Sequence, residues 1–160
     1  MTRKTFLMLK PDAFYNKLNN VLMNELTAKG LNIEVSKEIE IDIEVMKTLL
    51  EHYHEVIDRM GKSFNFAGKL FNSFYFSEPK KILIMVVSYE ESDVIDYTRS
   101  LIGKTEPISA DPNSLRGKYS KDSYDKAEKD MRLVNNLIHA SDSHESAERE
   151  LKIWMRYLGS

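Results

Sequence analysis

Two short apolar runs, Thr5-Phe6-Leu7-Met8-Leu9 and Ile82-Leu83-Ile84-Met85-Val86-Val87, constrain this chain more than any other feature. Each is too short for a buried helix, and the second is rich in branched residues, so both read as buried strands and the second as a central one. The first run stops at Lys10-Pro11-Asp12. Proline biases Lys10 toward an extended backbone and cannot donate in a ladder, which predicts a strand that ends on a lysine.

Between and after these runs the pattern alternates. Tyr15, Leu18, Leu22 and Leu26 recur at helical spacing, with Gly30 where a C-terminal cap is expected. From Leu31 to Ile41 the odd positions are apolar, broken only at Lys37, which predicts a half-buried strand. Met46, Leu49, Leu50, Tyr53, Ile57 and Met60 return to the helical period, placing Tyr53 near the end of a second helix with Arg59 soon after. Val94, Ile95, Thr98, Leu101 and Ile102 mark a third, closed by Gly103. Residues 104–118 form a long loop of the kind that usually carries function, and the charge-rich segment 122–134 reads as a solvated helix or an ordered excursion. Leu137 and Ile138 make a last, very short strand. A final helix follows, with Asp142 as cap, Glu145 in capping-box spacing, and Ala147, Leu151, Trp154 and Leu158 facing the core. Strands and helices in this order define an α+β layered structure.

A chain of 160 residues buries roughly 70% of the surface its unfolded form exposes, enough for a core of its own. No apolar run approaches the ~18 residues that span a bilayer, so no membrane role is expected. Met1-Thr2-Arg3-Lys4 leads into the first strand without the apolar stretch of a signal peptide, and a cytoplasmic location is the expectation. The absence of cysteine removes disulfides, thiolate nucleophiles and Cys-based zinc sites, and leaves His, Asp, Glu, Ser and Lys for chemistry. A net charge of -2 argues against a general nucleic-acid binder, whereas a small anionic ligand needs only a local basic pocket.

His139 stands where a strand runs into a helix N-terminus, a place that favours an anion. Glu150, in the helix that follows, can fold back toward the ring. A carboxylate on one ring nitrogen fixes the tautomer and leaves the other as a lone-pair nucleophile suited to attack on phosphorus. Phosphoryl transfer also needs cations to absorb charge on the phosphate oxygens, and Lys10, Arg59, Arg99 and Arg116 are the candidates. His52 and His54, two apart on a helix, point to different faces; with His144 they are read as non-catalytic. Phe64 and Phe66 lie in a glycine-flanked segment and offer a face on which a base can stack.

Taken together, Leu9-Lys10-Pro11-Asp12, His52-Tyr53, Asp58-Arg59, Arg99 with Gly103-Lys104-Thr105-Glu106-Pro107, Leu115-Arg116-Gly117, the stretch Asn136 to Ser143, and Ser146 to Glu150 closely resemble the nucleoside diphosphate kinases. The resemblance runs over almost the whole chain. It implies a ferredoxin-like βαββαβ sandwich, with a four-stranded antiparallel sheet and helices on its faces, in a single domain over 1–160 that carries a charged insertion around 119–134. It implies ping-pong transfer of the γ-phosphate of ATP or another nucleoside triphosphate to a nucleoside diphosphate, through phosphohistidine on His139. Mg²⁺ would be held mainly by the nucleotide phosphates rather than by protein ligands.

By position, His139 is the nucleophile and Glu150 its orienting partner, through Nδ1. Lys10 is shared between a ribose hydroxyl and the γ-phosphate, and Tyr53 supports the nucleophile's end of the site. Arg59, Arg99, Thr105 and Arg116 bind the β- and γ-phosphates, Asn136 the ribose, and Phe64 or Phe66 stacks on the base. A stacked base contributes little hydrogen-bond discrimination, so broad base specificity is expected. A homo-oligomer, whether hexamer, tetramer or dimer, is implied too.

The chain departs from the family pattern in three places. Ala140 replaces the glycine after the nucleophile, the segment Met60 to Gly68 is longer than its counterpart, and about ten extra residues separate Arg116 from Asn136. Two other readings compete. A nucleotide sensor would show a degraded catalytic set, and a phosphohistidine carrier would need neither a base-stacking wall nor arginines for a triphosphate.

Overall fold

The computed structural model describes residues 4–159. Met1 to Arg3, the lead-in invoked for the cytoplasmic expectation, lie outside the described residues. The sheet has four strands: β1 (Lys4–Leu9), β2 (Asn32–Glu40), β3 (Lys81–Ser88) and β4 (Ile138–Ala140), in the order β2-β3-β1-β4. Every neighbouring pair is antiparallel. The helices are α1 (Pro11–Tyr15), α2 (Asn19–Ala28), α3 (Ile43–His52), α4 (His54–Phe64), α5 (Phe66–Leu70), α6 (Val94–Ile102), α7 (Leu115–Tyr119), α8 (Tyr124–Lys129) and α9 (His144–Leu158). The expected ferredoxin-like βαββαβ sandwich is present, with α2 and α6 as its two crossover helices.

The two apolar runs are the two inner strands, because continuous apolar sequence is stable only when both faces of a strand are covered. On β1, Leu7 and Leu9 join a core with Leu22 and Leu26 of α2 and Ile95 and Ile102 of α6. Phe6 and Met8 point the other way, into a core with Met46 and Leu49 of α3, Phe74, and Trp154 and Leu158 of α9. Alternation along one strand thus feeds two cores, one per face. β2 has one neighbour, β3, and carries a register shift between Ile33 and Val35. As an edge strand it is covered less than its alternation predicts, and Val35 is 37% exposed.

Three predicted helices differ in detail. The first is two pieces: α1 ends in a Schellman-type turn, with Lys17 at φ 58° and the Leu18 N–H donating to the Ala13 carbonyl at 2.8 Å. Tyr15 is consequently outside the core, 70% exposed. The second breaks at Tyr53, which ends α3 and begins α4, so the apolar stripe turns a corner there instead of continuing straight. The last helix is capped by Ser143, whose hydroxyl accepts from the Ser146 N–H, rather than by Asp142. The final strand is shifted as well, from the expected Leu137-Ile138 to Ile138–Ala140.

The charged segment is ordered. It contains α8, and Arg132 forks onto Asp122 while the Asn135 N–H donates to the same carboxylate at 2.7 Å. Glu128 pairs with Lys69 of α5, Asn72 donates to the Met131 carbonyl, and the Leu133 N–H donates to Ser73.

Candidate active site

Strand pairing places the histidine. β4 lies beside β1 with Met8 opposite His139, and paired residues of an antiparallel ladder point to the same face. Met8 faces α3 and α9, so His139 does too. Helix α9 begins four residues past β4 and returns across that face. Its buried stripe is Ala147, Glu150, Trp154 and Leu158, which delivers a carboxylate to the ring.

Glu150 Oε1 lies 2.8 Å from His139 Nε2 and also accepts from the Ser141 hydroxyl at 2.8 Å. The sequence reading assigned the carboxylate to Nδ1; the structure puts it on Nε2, because the ring hangs from β4 with its far edge toward α9. A carboxylate acceptor keeps the proton on Nε2, so Nδ1 retains the lone pair. Burial by itself would raise the Glu150 pKa. The His139 ring and its hydrogen bond, with His52 and Ser141, pull it down to about 2, so the carboxylate stays charged.

Just ahead of β4 the backbone makes a tight turn. The Ile138 N–H donates to the Asn136 carbonyl at 2.8 Å across Leu137, whose φ is 74°. This is the geometry of a γ-turn with a left-handed centre, strained for a branched side chain. Asp12 accepts from the Leu137 N–H at 3.0 Å, and the Lys10 N–H donates to the Leu137 carbonyl at 2.9 Å, so the strain is held by the end of β1. The turn swings Asn136 against Lys10.

Lys10 is buried and donates to Asn136 Oδ1 at 2.9 Å and to the Val134 carbonyl at 3.1 Å. Asn136 in turn donates to the Thr105 carbonyl at 2.9 Å. Arg116 is anchored by three carbonyls: Gly103 at 3.0 Å, Asn136 at 3.3 Å and Ile138 at 2.5 Å. Burial lowers Lys10 to about 8, against the pull of Asp12, and lowers Arg116 to about 10 with Arg99 adding to the effect. Unpaired cations held in a half-dry place are what an incoming polyphosphate would stabilise. The long loop depends on two glycines: Gly103 has φ 94°, and a Cβ on Gly117 would meet the Asp111 carbonyl oxygen at 2.1 Å.

The other expected residues are placed as follows. Tyr53 lies 5.8 Å from the His139 ring, edge-on, with burial raising its pKa. Arg99 and Thr105 are exposed, Arg99 near enough to depress Arg116. Arg59 is exposed on α4, and among the described residues no hydrogen bond or ion pair joins it to this cluster. Phe64 and Phe66 stand 6.3 Å apart; Phe66 packs on Tyr53 at 5.7 Å, while Phe64 borders a cavity of about 500 Å³ with Asn65, Lys69 and Met131. The Lys69 ammonium covers one face of Phe64, 3.6 Å from its centroid.

Two residues escaped the sequence reading. Ser141 supports Glu150, and His52, set aside on the basis of its spacing from His54, is buried with its Nε2 3.2 Å from His139 Nε2. The signal was there: Val45, Leu49 and His52 share the buried stripe of α3. Ala140 causes no disturbance. It sits in β4 opposite Leu7, outside the left-handed region, and packs into the core on the face away from His139.

A histidine held by a buried carboxylate, on a ferredoxin-like sheet whose β4 backbone anchors an arginine and whose preceding turn holds a lysine, is a set of groups suited to phosphoryl transfer. The nucleoside diphosphate kinase family matches residues 3–158. A nucleoside diphosphate kinase of Methanocaldococcus jannaschii is 36% identical over 156 residues, covering 98% of this chain and 95% of that one. That of Staphylococcus haemolyticus is 36% identical over 153 residues, covering 96% and 87%. Among solved structures, a transition-state mimic of the Borrelia burgdorferi enzyme with bound vanadate and ADP superposes with a TM-score of 0.81 at 28% identity, covering 94% of this chain and 85% of that one. The Halobacterium salinarum enzyme in complex with CDP gives 0.73 at 29%, covering 96% and 88%. This chain belongs to the nucleoside diphosphate kinase family. It is a nucleotide-binding kinase that passes phosphate from nucleoside triphosphates to nucleoside diphosphates, and no described helix is long and apolar enough to cross a membrane.

Proposed function

We propose that transfer is ping-pong through phosphohistidine at Nδ1 of His139; the observation that carries this is Glu150 on Nε2. In the first half, the Nδ1 lone pair forms an N–P bond to the γ-phosphorus as the bond to the bridging oxygen breaks, and the nucleoside diphosphate leaves with that electron pair. Glu150 offsets the positive charge gained by the ring. In the second half, a terminal oxygen of another nucleoside diphosphate forms the new P–O bond as N–P breaks. Lys10, Arg116, Arg99, Arg59 and Thr105 bind phosphate oxygens, Asn136 and Lys10 the ribose, and Tyr53 supports the ring. Lys10 and Asn136 already share a hydrogen bond, which favours their acting on one sugar.

Mg²⁺ would enter on the nucleotide. The carboxylates around the site are engaged, Asp12 with the Leu137 N–H, Asp122 with Arg132 and the Asn135 N–H, and Glu150 with His139 and Ser141, which suits an ion carried by phosphates. When bound, it neutralises charge on the β- and γ-oxygens. The base is proposed to lie in the cavity beside Phe64, held by stacking, which supports broad base acceptance. We further propose that residues 1–160 act as a single domain with 119–134 as an insertion, working in the cytoplasm as a homo-oligomer. The open edge of β2 supports assembly, since an unpaired strand edge invites a partner.

The function is tested by incubating the protein with γ-labelled ATP and Mg²⁺. An acid-labile, base-stable label on His139 that leaves to several nucleoside diphosphates is expected; nucleotide binding without label would leave a sensor. The base seat has its own test. Phe64→Ala should raise the KM for nucleotide roughly 10-fold with a smaller change in kcat, since stacking is worth about 1–3 kcal/mol per base. A KM unchanged by Phe64→Ala but raised by Phe66→Ala would move the base to Phe66.

A pH limb also follows from Lys10. Its charged form binds phosphate and is lost as pH rises through about 8, so kcat/KM should fall above that pH. Bound phosphate favours the ammonium, so the limb in kcat should sit at higher pH. A kcat/KM profile flat to about pH 9.5 would count against a depressed Lys10 acting as a phosphate cation.

A further inference from the structure

His52 touches the nucleophile, yet the phosphoryl transfer derived above uses none of its atoms. The indole of Trp154 donates from Nε1 to His52 Nδ1 at 3.0 Å, both side chains being buried. An indole N–H has no acceptor capacity, so His52 Nδ1 must carry a lone pair. A ring whose Nδ1 accepts from that indole is neutral and holds a single proton. That proton is on Nε2, which faces His139 Nε2 at 3.2 Å and Glu150 Oε2 at 3.9 Å.

Two consequences follow. With a proton on each Nε2, the 3.2 Å contact between the rings joins two donors and is not a hydrogen bond; both N–H groups are turned to the one carboxylate, that of His139 onto Oε1 at 2.8 Å and that of His52 toward Oε2, so His52 cannot compete for the His139 proton. Nor can it ligate a metal. This matters because His52, His139 and Glu150 bring their ligand atoms within 4.8 Å of one another, and two imidazoles with one glutamate form a known zinc set. With the opposite His52 tautomer both functions would open together: a competing acceptor for His139, and a third ligand for an ion.

We propose that Trp154 holds His52 in the Nε2–H tautomer, and so reserves the Nε2 proton of His139 for Glu150 and closes the His52–His139–Glu150 triad to transition-metal ions. His52 and Trp154 are positioning residues. The tautomer and the metal exclusion stand on geometry alone, while their effect on rate rests on the phosphohistidine reading. The charged and titratable groups facing His52 are His139 from β4, Glu150 and Arg149 from α9, and Tyr53 at the α3–α4 corner. Phe6 and Trp154, which pack against its ring, do not titrate.

The test begins with ring nitrogen NMR of the ¹⁵N-histidine-labelled full chain. His52 is expected to keep a bare Nδ1 and a protonated Nε2 across about pH 5–9. A proton on Nδ1, or a ring that titrates near neutrality, overturns the proposal. Zn²⁺ is then titrated into the wild type, Trp154→Phe, and Trp154→Phe combined with His52→Phe, following the ring signals and the rate with Mg²⁺-nucleotide. Trp154→Phe should bind Zn²⁺ through His52 and His139 about tenfold more tightly than the wild type, with chelator-reversible inhibition, and the second substitution should abolish that gain. Equal zinc response in the wild type and a folded Trp154→Phe refutes the closure. Should Trp154→Phe fail to fold, the wild-type tautomer still decides the proposal. A wild type without kinase activity would count against the phosphohistidine reading, and the ring spectra and zinc titration would remain readable.

Discussion

His139→Ala should leave no acid-labile label and lower the exchange rate by on the order of 10⁴-fold or more, because on the proposed route it removes the atom that forms the N–P bond. The loss should be confined to chemistry. His139 is half-buried on a three-residue strand, and truncating its ring to a methyl group asks for no new space there. Nucleotide affinity should persist, since Lys10, Asn136 and Arg116, proposed to bind phosphate and sugar, are held by contacts that do not involve the ring. Glu150 would lose its ring partner but keep the Ser141 hydroxyl. Equilibrium binding of a nucleoside diphosphate, measured beside initial rates, checks both halves. Turnover that survives in His139→Ala would exclude the phosphohistidine route.

Arg116→Ala should cost on the order of 10²-fold or more in kcat/KM if the guanidinium meets charge developing on the transferred phosphoryl group in a half-dry site. It should also lower stability. The side chain ties the Gly103 end of the long loop to the strained turn before β4 through three carbonyls, and truncation leaves all three without that donor. Arg116→Lys separates the two roles. Lysine supplies a charge but cannot fork onto three carbonyls, so part of the rate should return while the melting temperature stays depressed. Steady-state kinetics with thermal unfolding on both variants makes the comparison. A destabilised Arg116→Ala that keeps the wild-type rate would restrict Arg116 to anchoring the loop.

Local pattern carried much of this. The strand ending at Lys10 is present because an uninterrupted apolar run followed by proline has few other stable outcomes. Gly30 and Gly103 were legible as helix ends because both need a positive φ. Glu150 was legible because it shares the helical period of Ala147 and Trp154. The corner at Tyr53 was not, since the apolar stripe reads the same through a bend as through a straight helix. The choice of Ser143 over Asp142 as cap was equally hidden, both being good capping residues one position apart. His52 was obscured because its spacing from His54 points to opposite faces, whereas its register with Leu49 carries it into the core.

The amino-acid sequence by itself determined the element order and the residues at strand and helix ends, and offered the candidate histidine, cations and carboxylate, because each rests on period, turn chemistry or a motif within one segment. Tertiary structure alone decided which ring nitrogen meets Glu150, how Asp12 and Lys10 hold the turn at Leu137, and that Trp154 and His52 stand behind His139. These contacts join residues from opposite ends of the chain. Their geometry comes from the pairing of β4 with β1 and the return of α9 across the sheet, which no local pattern encodes.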